Sequence, residues 1–336
     1  MKSQYDVFSL GNALVDIELE VTPQELERLS IEKGVMTLVE LERHDYLLEE
    51  LVGKAHHRAS GGSAANSIFA LAQLGGRGYH CCKVAQDEAG QFYASDLNDA
   101  GVDNNIAQLE NNNGTTGKCL VMVTPDADRT MNTYLGISSE QQPQDLDLTA
   151  LGNSQYLYIE GYLVTSESNH QSALAAKKHA DEQGVKVAYT LSDPNMVRFF
   201  KPQIEQILAN GVELLFANED EALEFTQKDS VLLALKELQA HAKQVVITLG
   251  AKGAVYFDGE QTHHIEPFEV EAIDTNGAGD MFAGAFLYGL TQGYSAQKCG
   301  QLASFASSFL VTQFGPRLKG EAVKVIQNFN QKLQNP

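Results

Sequence analysis

The chain has 336 residues, of which 43% are hydrophobic, and a formal net charge of −20. Such a chain can bury a large core, and an α/β protein of this length often forms one unit, so we predict a single domain over residues 1–336. The negative charge excludes nucleic acid and anionic membranes as main partners, because both require a cationic surface. It does not exclude a nucleotide, whose phosphates can be held by backbone N–H groups and Mg²⁺.

The cysteines and the N-terminal residues indicate the cellular compartment. Cys81, Cys82, Cys119 and Cys299 include no CxxC pair, which favours a reduced chain over a disulfide scaffold. The opening residues lack the uninterrupted apolar run of a secretory signal. No segment reaches the roughly 20 apolar residues of a membrane span. We therefore expect a cytoplasmic protein with no membrane partner.

Apolar runs and turn residues predict the elements of the first part of the chain. We predict strands at 5–10 and 79–84 and helices at 63–74 and 88–100, with Gly101 just after the last helix. A short strand at 35–39 and a hairpin of strands 118–123 and 129–134 do not fit this alternation of strands and helices. They predict a small separate sheet, which we interpret as a lid formed by about residues 15–40 and 113–137.

From residue 154 onward, apolar runs alternate with helical patterns. The predicted strands are 156–160, 185–190, 212–217 and 245–249. The predicted helices between them are 166–179, 219–226 and 231–241. This alternation predicts an α/β fold with a central, mostly parallel sheet flanked by helices on both faces.

The segment DTNGAGD at residues 274–280 is followed by the apolar stretch MFAGAFLYGL. Small residues let the backbone approach a phosphate, and the N–H groups of Gly277, Ala278 and Gly279 at a helix N-terminus could hold the charge of a transferring phosphoryl group. Asp280, in the first helical turn, could take a proton from an attacking hydroxyl. The alternative is a turn and a helix cap without chemistry.

Two motifs in the N-terminal part place polar groups where a substrate could bind. Gly61, Gly62 and Ser63 open a predicted helix in which Asn66 could bond a hydroxyl. Residues 11–16, GNALVD, follow the first strand, at the carboxyl edge where α/β proteins bind ligands, so Asp16 could accept bonds from two sugar hydroxyls. The alternatives are an ordinary glycine before a helix and a loop aspartate that satisfies its own turn.

Two further motifs follow later predicted strands. The acidic run NEDE at 218–221 starts a helix, and TLGAKG at 248–253 forms a turn. Taken alone, the first is equally explained by the preference of a helix N-terminus for acidic residues.

Together these segments resemble the ribokinase (PfkB) carbohydrate kinase family. The C-terminal signature of that family is matched by Asp-Thr-x-Gly-Ala-Gly-Asp, then three residues, then Gly-Ala-Phe-Leu at 284–287. Its Gly-Gly-x-x-x-Asn, Asn-x-x-Glu and Thr-x-Gly-x-x-Gly motifs are similar to residues 61–66, 218–221 and 248–253. The resemblance implies a ribokinase-like fold, an ATP-dependent kinase, Asp280 as base and an anion hole at 277–279.

The resemblance also implies where the cofactors bind. Asn218 and Glu221 would organise Mg²⁺, largely through water, which suits an ion that dehydrates reluctantly. The backbone of Thr248, Gly250 and Gly253 would border the ATP phosphates. A monovalent cation near the signature loop is also common in this family.

Within the family, adenosine-kinase-like members look most similar, on the basis of GNALVDI, SGGSAANSI and DTNGAGD. That similarity implies substrate contacts from Asn12, Asp16, Gly61, Gly62, Ser63, Asn66, Asn132, Thr133, Tyr162 and Asn276. Arg129 aligns with a lid arginine that would bring positive charge to the phosphates, with an ordinary surface arginine as the alternative. Met36 departs from the pattern, because animal-type adenosine kinases carry a polar residue at that position.

Three functions therefore compete. The first is a kinase for the 5′-hydroxyl of adenosine or a related purine nucleoside, and the second is a sugar kinase of the ribokinase or fructokinase type. The third is a non-catalytic nucleotide-binding protein, which ranks last because Asp280 is present. A Rossmann dehydrogenase is excluded, since no GxGxxG follows the first strand. Both a monomer and a homodimer are compatible with the sequence.

Overall fold

In the computed structural model of the chain, residues 4–110, 112–126 and 128–334 are described. The strands, numbered in chain order, are β1 (Tyr5–Leu10), β2 (Leu14–Glu20), β3 (Met36–Leu38), β4 (Ala55–Gly61), β5 (Gly78–Cys81), β6 (Asp103–Asn104), β7 (Gly117–Val123), β8 (Arg129–Tyr134), β9 (Ser154–Glu160), β10 (Lys186–Thr190), β11 (Val212–Asn218), β12 (Ala242–Thr248), β13 (Ala254–Phe257) and β14 (Thr262–Ile265).

The α-helices, numbered likewise, are α1 (Pro23–Arg28), α2 (Leu41–Glu50), α3 (Ser63–Gln73), α4 (Glu88–Asp99), α5 (Leu148–Gly152), α6 (Glu167–Gln183), α7 (Pro194–Leu208), α8 (Glu219–Thr226), α9 (Val231–Leu238), α10 (Ala278–Thr291), α11 (Ala296–Leu310) and α12 (Glu321–Gln334). Short 3₁₀ helices lie at Ile106–Gln108, Gly136–Glu140, Pro143–Asp145, Gly161–Thr165 and Gly250–Lys252. None of these helices is both long and apolar enough to cross a bilayer.

The main sheet has nine strands in the order β14-β13-β12-β11-β10-β9-β1-β5-β6. The seven strands from β12 to β6 run parallel, and only β13 and β14 pair antiparallel at one edge. One face packs on α3, α4, α10 and α11, and the other packs on α5 to α9, so each face has its own apolar core. The predicted α/β architecture is confirmed.

Helix ends follow local sequence signals. The Ser166 side chain accepts a bond from the Asn169 N–H and begins α6, which continues four residues beyond its predicted end to reach Gly184. Gly184 has a φ of +70°, a left-handed conformation that glycine adopts without steric cost. Gly101, with a φ of +72°, ends α4 in the same way, as predicted. The predicted strand at 79–84 is shorter, because pairing ends at Cys81.

The second sheet has five strands in the order β3-β8-β7-β2-β4. Strand β3 and the β7–β8 hairpin confirm the predicted small sheet. The sheet also includes β4, which lies outside the ranges predicted for it. Alternate residues of β2 and β7, such as Leu19 and Leu120, pack on α1 and α2. The opposite face is therefore free to cover the main sheet's carboxyl edge.

Candidate active site

A cavity of about 400 Å³ lies between the small sheet and the carboxyl ends of β1, β9, β10, β11 and β12. The predicted site residues that line it are Asn12, Asp16, Gly62, Ser63, Asn66, Arg129, Thr133, Tyr162, Asn218, Glu221, Thr248, Asn276, Gly277, Ala278, Gly279 and Asp280. Motifs spread over more than 260 residues of sequence thus meet at one place.

Four of the predicted residues do not line this cavity. Asn132 is buried in β8 on the face opposite Met131 and Thr133, because side chains alternate along a strand. The substrate contact predicted for Asn132 does not fit this position, whereas Met131 and Thr133 line the cavity. Gly250 and Gly253 shape the turn after β12, where a Cβ on Gly253 would lie 2.0 Å from the Ile265 carbonyl oxygen. Gly61 contacts the Asp16 carboxylate and does not itself line the cavity.

The first turn of α10 forms the floor of the cavity. Gly277 precedes it with a φ of +73°, and a Cβ there would lie 2.7 Å from the Cβ of Pro316. A Cβ on Gly284 would approach the Ser67 carbonyl oxygen to 2.1 Å, so this glycine allows α10 to pack closely on α3. The Ala278 N–H is bonded to the Thr275 carbonyl. The N–H groups of Gly279 and Asp280, which come next, have no acceptor within the helix and are therefore available to an anion.

Asp280 is held at the point where α3 and α10 meet. Its Oδ1 accepts from the Ser63 hydroxyl at 2.6 Å, and its Oδ2 accepts from the Asn66 amide at 3.0 Å. Burial raises the pKa of Asp280 to about 6, against the lowering effect of these two bonds. A fixed carboxylate with such a pKa is suited to accept a proton near neutral pH.

Asp16 lies across the cavity in β2 and is 8% exposed. A Cβ on Gly61 would lie 2.2 Å from its Oδ2, so only glycine at 61 leaves room for this carboxylate. No donor among the described residues hydrogen-bonds the Asp16 side chain, which leaves its oxygens open towards the cavity. Burial raises the pKa of Asp16 to about 7.

The neighbouring Gly62 has a different constraint. Its φ is +103°, and a Cβ would lie 2.2 Å from the Asn12 carbonyl oxygen. The Asn12 side chain is fixed in turn, because its Oδ1 accepts from the Asn169 amide at 2.9 Å. The loop after β1 and the start of α3 therefore form one rigid corner.

Glu160, the last residue of β9, is a functional candidate that the sequence analysis missed. It is fully buried, lines the cavity and accepts from the backbone N–H groups of Asn12 at 2.7 Å and Ala64 at 2.8 Å. Burial raises its pKa to about 7. A charged residue directly after the apolar run YLYI, at the carboxyl edge of the sheet, was the signal that could have identified it.

Asn218 and Glu221 form a reciprocal cap at the start of α8. The Glu221 carboxylate accepts from the Asn218 N–H at 2.9 Å and from its side-chain amide at 2.8 Å. The Asn218 Oδ1 accepts from the Glu221 N–H at 2.8 Å. Burial raises the pKa of Glu221 to about 8. Direct metal ligation would compete with these bonds, so the pair fits a hydrated cation rather than a bare one.

Arg129 projects from β8 and forms a buried ion pair with Asp274. Asp274 also accepts from the Asn276 N–H at 2.8 Å and the Gly315 N–H at 2.7 Å, which fixes the segment ahead of α10. Arg129 lines the cavity as predicted, but its charge is shared with a carboxylate that the sequence analysis left without a role.

The wall that the small sheet contributes is mostly apolar and was also missed. It consists of Leu14, Met36, Leu38, Val121, Met131 and Leu135. Tyr162, across the cavity, donates from its hydroxyl to the Ser192 carbonyl at 3.4 Å, which holds the ring in place. The cavity therefore combines a polar, acidic floor with an apolar wall.

The chain matches the family described as pfkB family carbohydrate kinase over residues 36–322. The solved adenosine kinase of Sinorhizobium meliloti is 33% identical, with a TM-score of 0.91 over 97% of this chain and 100% of that one. A probable sugar kinase of Rhizobium etli CFN 42 is also 33% identical, with a TM-score of 0.91 over 98% and 99% of the two chains. The adenosine kinase of Schizophyllum commune is 28% identical over 96% of this chain and all of its own length.

Proposed function

The chain belongs to the pfkB family of carbohydrate kinases and is an ATP-dependent kinase, and we propose that it phosphorylates the 5′-hydroxyl of adenosine or a related purine nucleoside. The observation that carries this proposal is the two-sided cavity. Its acidic floor suits a sugar with several hydroxyls, and its apolar wall suits the flat face of a base. A free sugar would leave that wall without a partner.

The ribose would bind at the rigid corner formed by β1, β2 and α3. Asp16 has open oxygens that can accept from two adjacent hydroxyls, and the backbone at Asn12 and Gly62 lies beside it. The base would extend towards Tyr162 and the apolar wall, where an aromatic ring can stack on it. This arrangement directs the 5′-hydroxyl towards Asp280.

Asp280 would accept the proton of the 5′-hydroxyl as that oxygen attacks the γ-phosphorus of ATP in line and the bond to the β-phosphate oxygen breaks. The free N–H groups at the start of α10 would hold the negative charge on the transferring group. Arg129 would add positive charge from the other side of the cavity.

The protein's contribution to binding Mg²⁺ would come from Asn218 and Glu221 through bound water. Bound there, Mg²⁺ would neutralise phosphate charge. A monovalent cation beside the 274–280 loop stays a prediction of the family resemblance, and replacing K⁺ by choline in the assay tests it. The small sheet would act as the lid, closing over the nucleoside and excluding water as a competing acceptor. All four cysteines are buried and free, in keeping with a cytoplasmic protein.

A sugar kinase is the second candidate, because a probable sugar kinase is as similar to this chain as an adenosine kinase is. The polar floor alone would serve either substrate. A non-catalytic nucleotide-binding protein is disfavoured, since the contacts from Ser63 and Asn66 to Asp280 are intact.

The test is ATP consumption with adenosine, inosine, guanosine, ribose and fructose, with Asp280→Ala as the control. We expect the highest kcat/KM on a purine nucleoside, and a fall in kcat of at least about 10³-fold in the variant with ATP affinity nearly unchanged. Turnover confined to free sugars would replace the nucleoside proposal by the sugar kinase. Turnover of the variant within about tenfold of the native protein would remove Asp280 from the role of base.

A further inference from the structure

Asp16 requires an explanation that its immediate contacts do not provide. It can accept hydroxyl groups at both oxygens only while it is ionised, since a protonated carboxyl must donate at one of them. Yet it is buried and no donor among the described residues bonds it, and burial alone opposes ionisation. A cation outside hydrogen-bonding distance would favour the carboxylate.

Arg317 lies behind Asp16, beyond the wall of the cavity. Its guanidinium donates to Asp96 of α4 at 2.7 Å and to the Ser60 hydroxyl at 3.1 Å. It also stacks on the Phe69 ring, 3.3 Å from the ring centre. Its side chain is 11% exposed, and its Nε is buried without a hydrogen-bond partner among the described residues.

The strand β4 connects this cation to the substrate site. Ser60, which Arg317 bonds, precedes Gly61, whose missing side chain makes room for the Asp16 carboxylate. Ser60 also pairs with Val15 of β2, the residue before Asp16. Arg317 is thus held against the backbone that borders Asp16, but it does not line the cavity.

We propose that Arg317 is a positioning residue that keeps Asp16 ionised and its two oxygens available to the substrate. This inference rests on the proposed function, in which Asp16 receives the ribose hydroxyls. Arg317 acts through the low-dielectric interior, where a charge that is not in contact still influences its neighbours.

The other groups around Asp16 do not replace it. Glu18 of β2 and Asp280 of α10 are acidic and oppose ionisation of Asp16, whereas Arg129 of β8 favours it more weakly than Arg317. Cys119 of β7 and Tyr93 of α4 are held neutral, because burial raises the pKa of both. After burial, Arg317 is the largest influence on the pKa of Asp16, and it lowers that pKa.

Two variants separate this role from a structural one. Arg317→Gln and Asp96→Asn both break the Arg317–Asp96 ion pair, but the first removes the cation near Asp16 and the second leaves it in place. We would measure kcat/KM for the nucleoside from pH 5 to pH 9 in both. In parallel, the Asp16 carboxyl would be titrated by ¹³C NMR in the free protein, with its resonance assigned by Asp16→Asn.

We expect Arg317→Gln to move the Asp16 titration and the acidic limb of kcat/KM upward by about one pH unit, which is about tenfold in kcat/KM at the foot of the curve. Asp96→Asn should leave both unchanged or move them downward, and Arg317→Lys should restore most of the native profile. Equal upward shifts in Arg317→Gln and Asp96→Asn, or a loss of activity in Arg317→Gln without a shift, would overturn the proposal.

The outcomes remain distinct from those of the proposed function. The NMR titration needs no substrate. If the protein is inactive on every nucleoside, the proposed substrate is refuted, and the titration still decides the role of Arg317. Should Arg317→Gln not fold, Arg317→Met provides a second neutral side chain. Asp96→Asn also tests the proposal alone, because an upward shift of the Asp16 titration in that variant contradicts it.

Discussion

Asp280 and Asp16 are two carboxylates that share a cavity but differ in their surroundings. Two side-chain donors fix Asp280, whereas no donor among the described residues bonds Asp16. The first arrangement suits a group that must keep one orientation relative to a reacting hydroxyl. The second suits a group whose partners arrive with the substrate.

These carboxylates predict the pH dependence of the reaction. Burial raises the pKa of Asp280 to about 6 and of Asp16 to about 7, and both must be ionised to act. Activity should therefore rise with pH through this range, and kcat/KM at pH 5 should be at least about tenfold below that at pH 8. A profile that stays flat down to pH 5 would contradict the roles of both.

Gly61→Ala tests the close approach of β4 to Asp16. The added Cβ would lie 2.2 Å from the Asp16 carboxylate, which must then move. Because small displacements at a substrate-orienting group are costly, we expect kcat/KM for the nucleoside to fall by about 10²-fold. Gly152→Ala is the matched control, since its Cβ would meet no atom closer than 3.5 Å. Equal activity of the two variants would refute this reading of Gly61.

At this scale the sequence predicts groups that belong to a local motif. Asp280 and its neighbouring glycines could be identified because their chemistry requires a fixed spacing along the chain. Glu160 and Arg317 could not, because their partners lie 96 or more residues away. Asp274 belongs to the signature motif, but its ion pair with Arg129 joins residues 145 positions apart, so its role could not be identified either. Asn132 was placed by the family resemblance, which does not settle that its side chain lies on the face of β8 opposite Met131 and Thr133.

Helix α4 shows how one element is tied to the small sheet. Asp87 caps it by accepting from the Gly90 N–H at 2.8 Å, and also accepts from the Thr116 N–H at 2.8 Å and its hydroxyl at 2.5 Å. Burial alone would raise the pKa of Asp87, but these bonds hold it below its ordinary value. The stability that ionised Asp87 contributes to the fold is therefore complete above the ordinary pKa of an aspartate. It is lost as the pH falls through the lowered pKa of Asp87.

Asp87→Ala should destabilise the protein by about 2 kcal/mol, because it removes a cap and leaves the Thr116 groups without their acceptor. Asp87→Asn retains an acceptor oxygen and should cost less. Urea unfolding at pH 7 measures both. The same loss of stability in the two variants would mean that the charge and not the cap is what matters.

The elements of the main sheet were more predictable than those of the small one. Its parallel strands are apolar on both faces and stand out from their surroundings. Strand β2 alternates charged and apolar residues from Asp16 onward, and β4 is mostly polar, so neither forms an apolar run. Their pairing also depends on contacts between distant segments, which a local pattern does not contain.

At the scale of the whole molecule, the buried ion pair of Arg129 and Asp274 joins the small sheet to the segment ahead of α10. Removing one partner leaves the other charge buried alone, so Arg129→Gln and Asp274→Asn should each cost about 3–5 kcal/mol of unfolding free energy. The double variant should cost clearly less than the sum of the two. Urea unfolding of the native protein, the two single variants and the double variant measures this coupling. If the loss in the double variant equals the sum of the two single losses within about 0.5 kcal/mol, the two residues are not energetically coupled.

The family signature and the alternation of apolar runs with helical patterns predicted the reaction class and the fold, because both are strong local patterns. The apolar wall that supports a nucleoside could not be predicted in the same way. It is assembled from one or two residues each of β2, β3, β7 and β8, and from Leu135 after β8. These side chains point in a common direction only once the small sheet has formed.

The division of the cavity between two sheets also bears on descent. The apolar wall proposed to meet the base lies on the small sheet, while Asp280, the proposed proton acceptor, lies on a helix packed against the main sheet. Substitutions such as one at Met36 can accumulate in a lineage without disturbing Asp280. Selection could thus change the preferred substrate stepwise while every intermediate ancestor kept a working phosphoryl-transfer centre, so close relatives with different substrates are the expected outcome of this architecture.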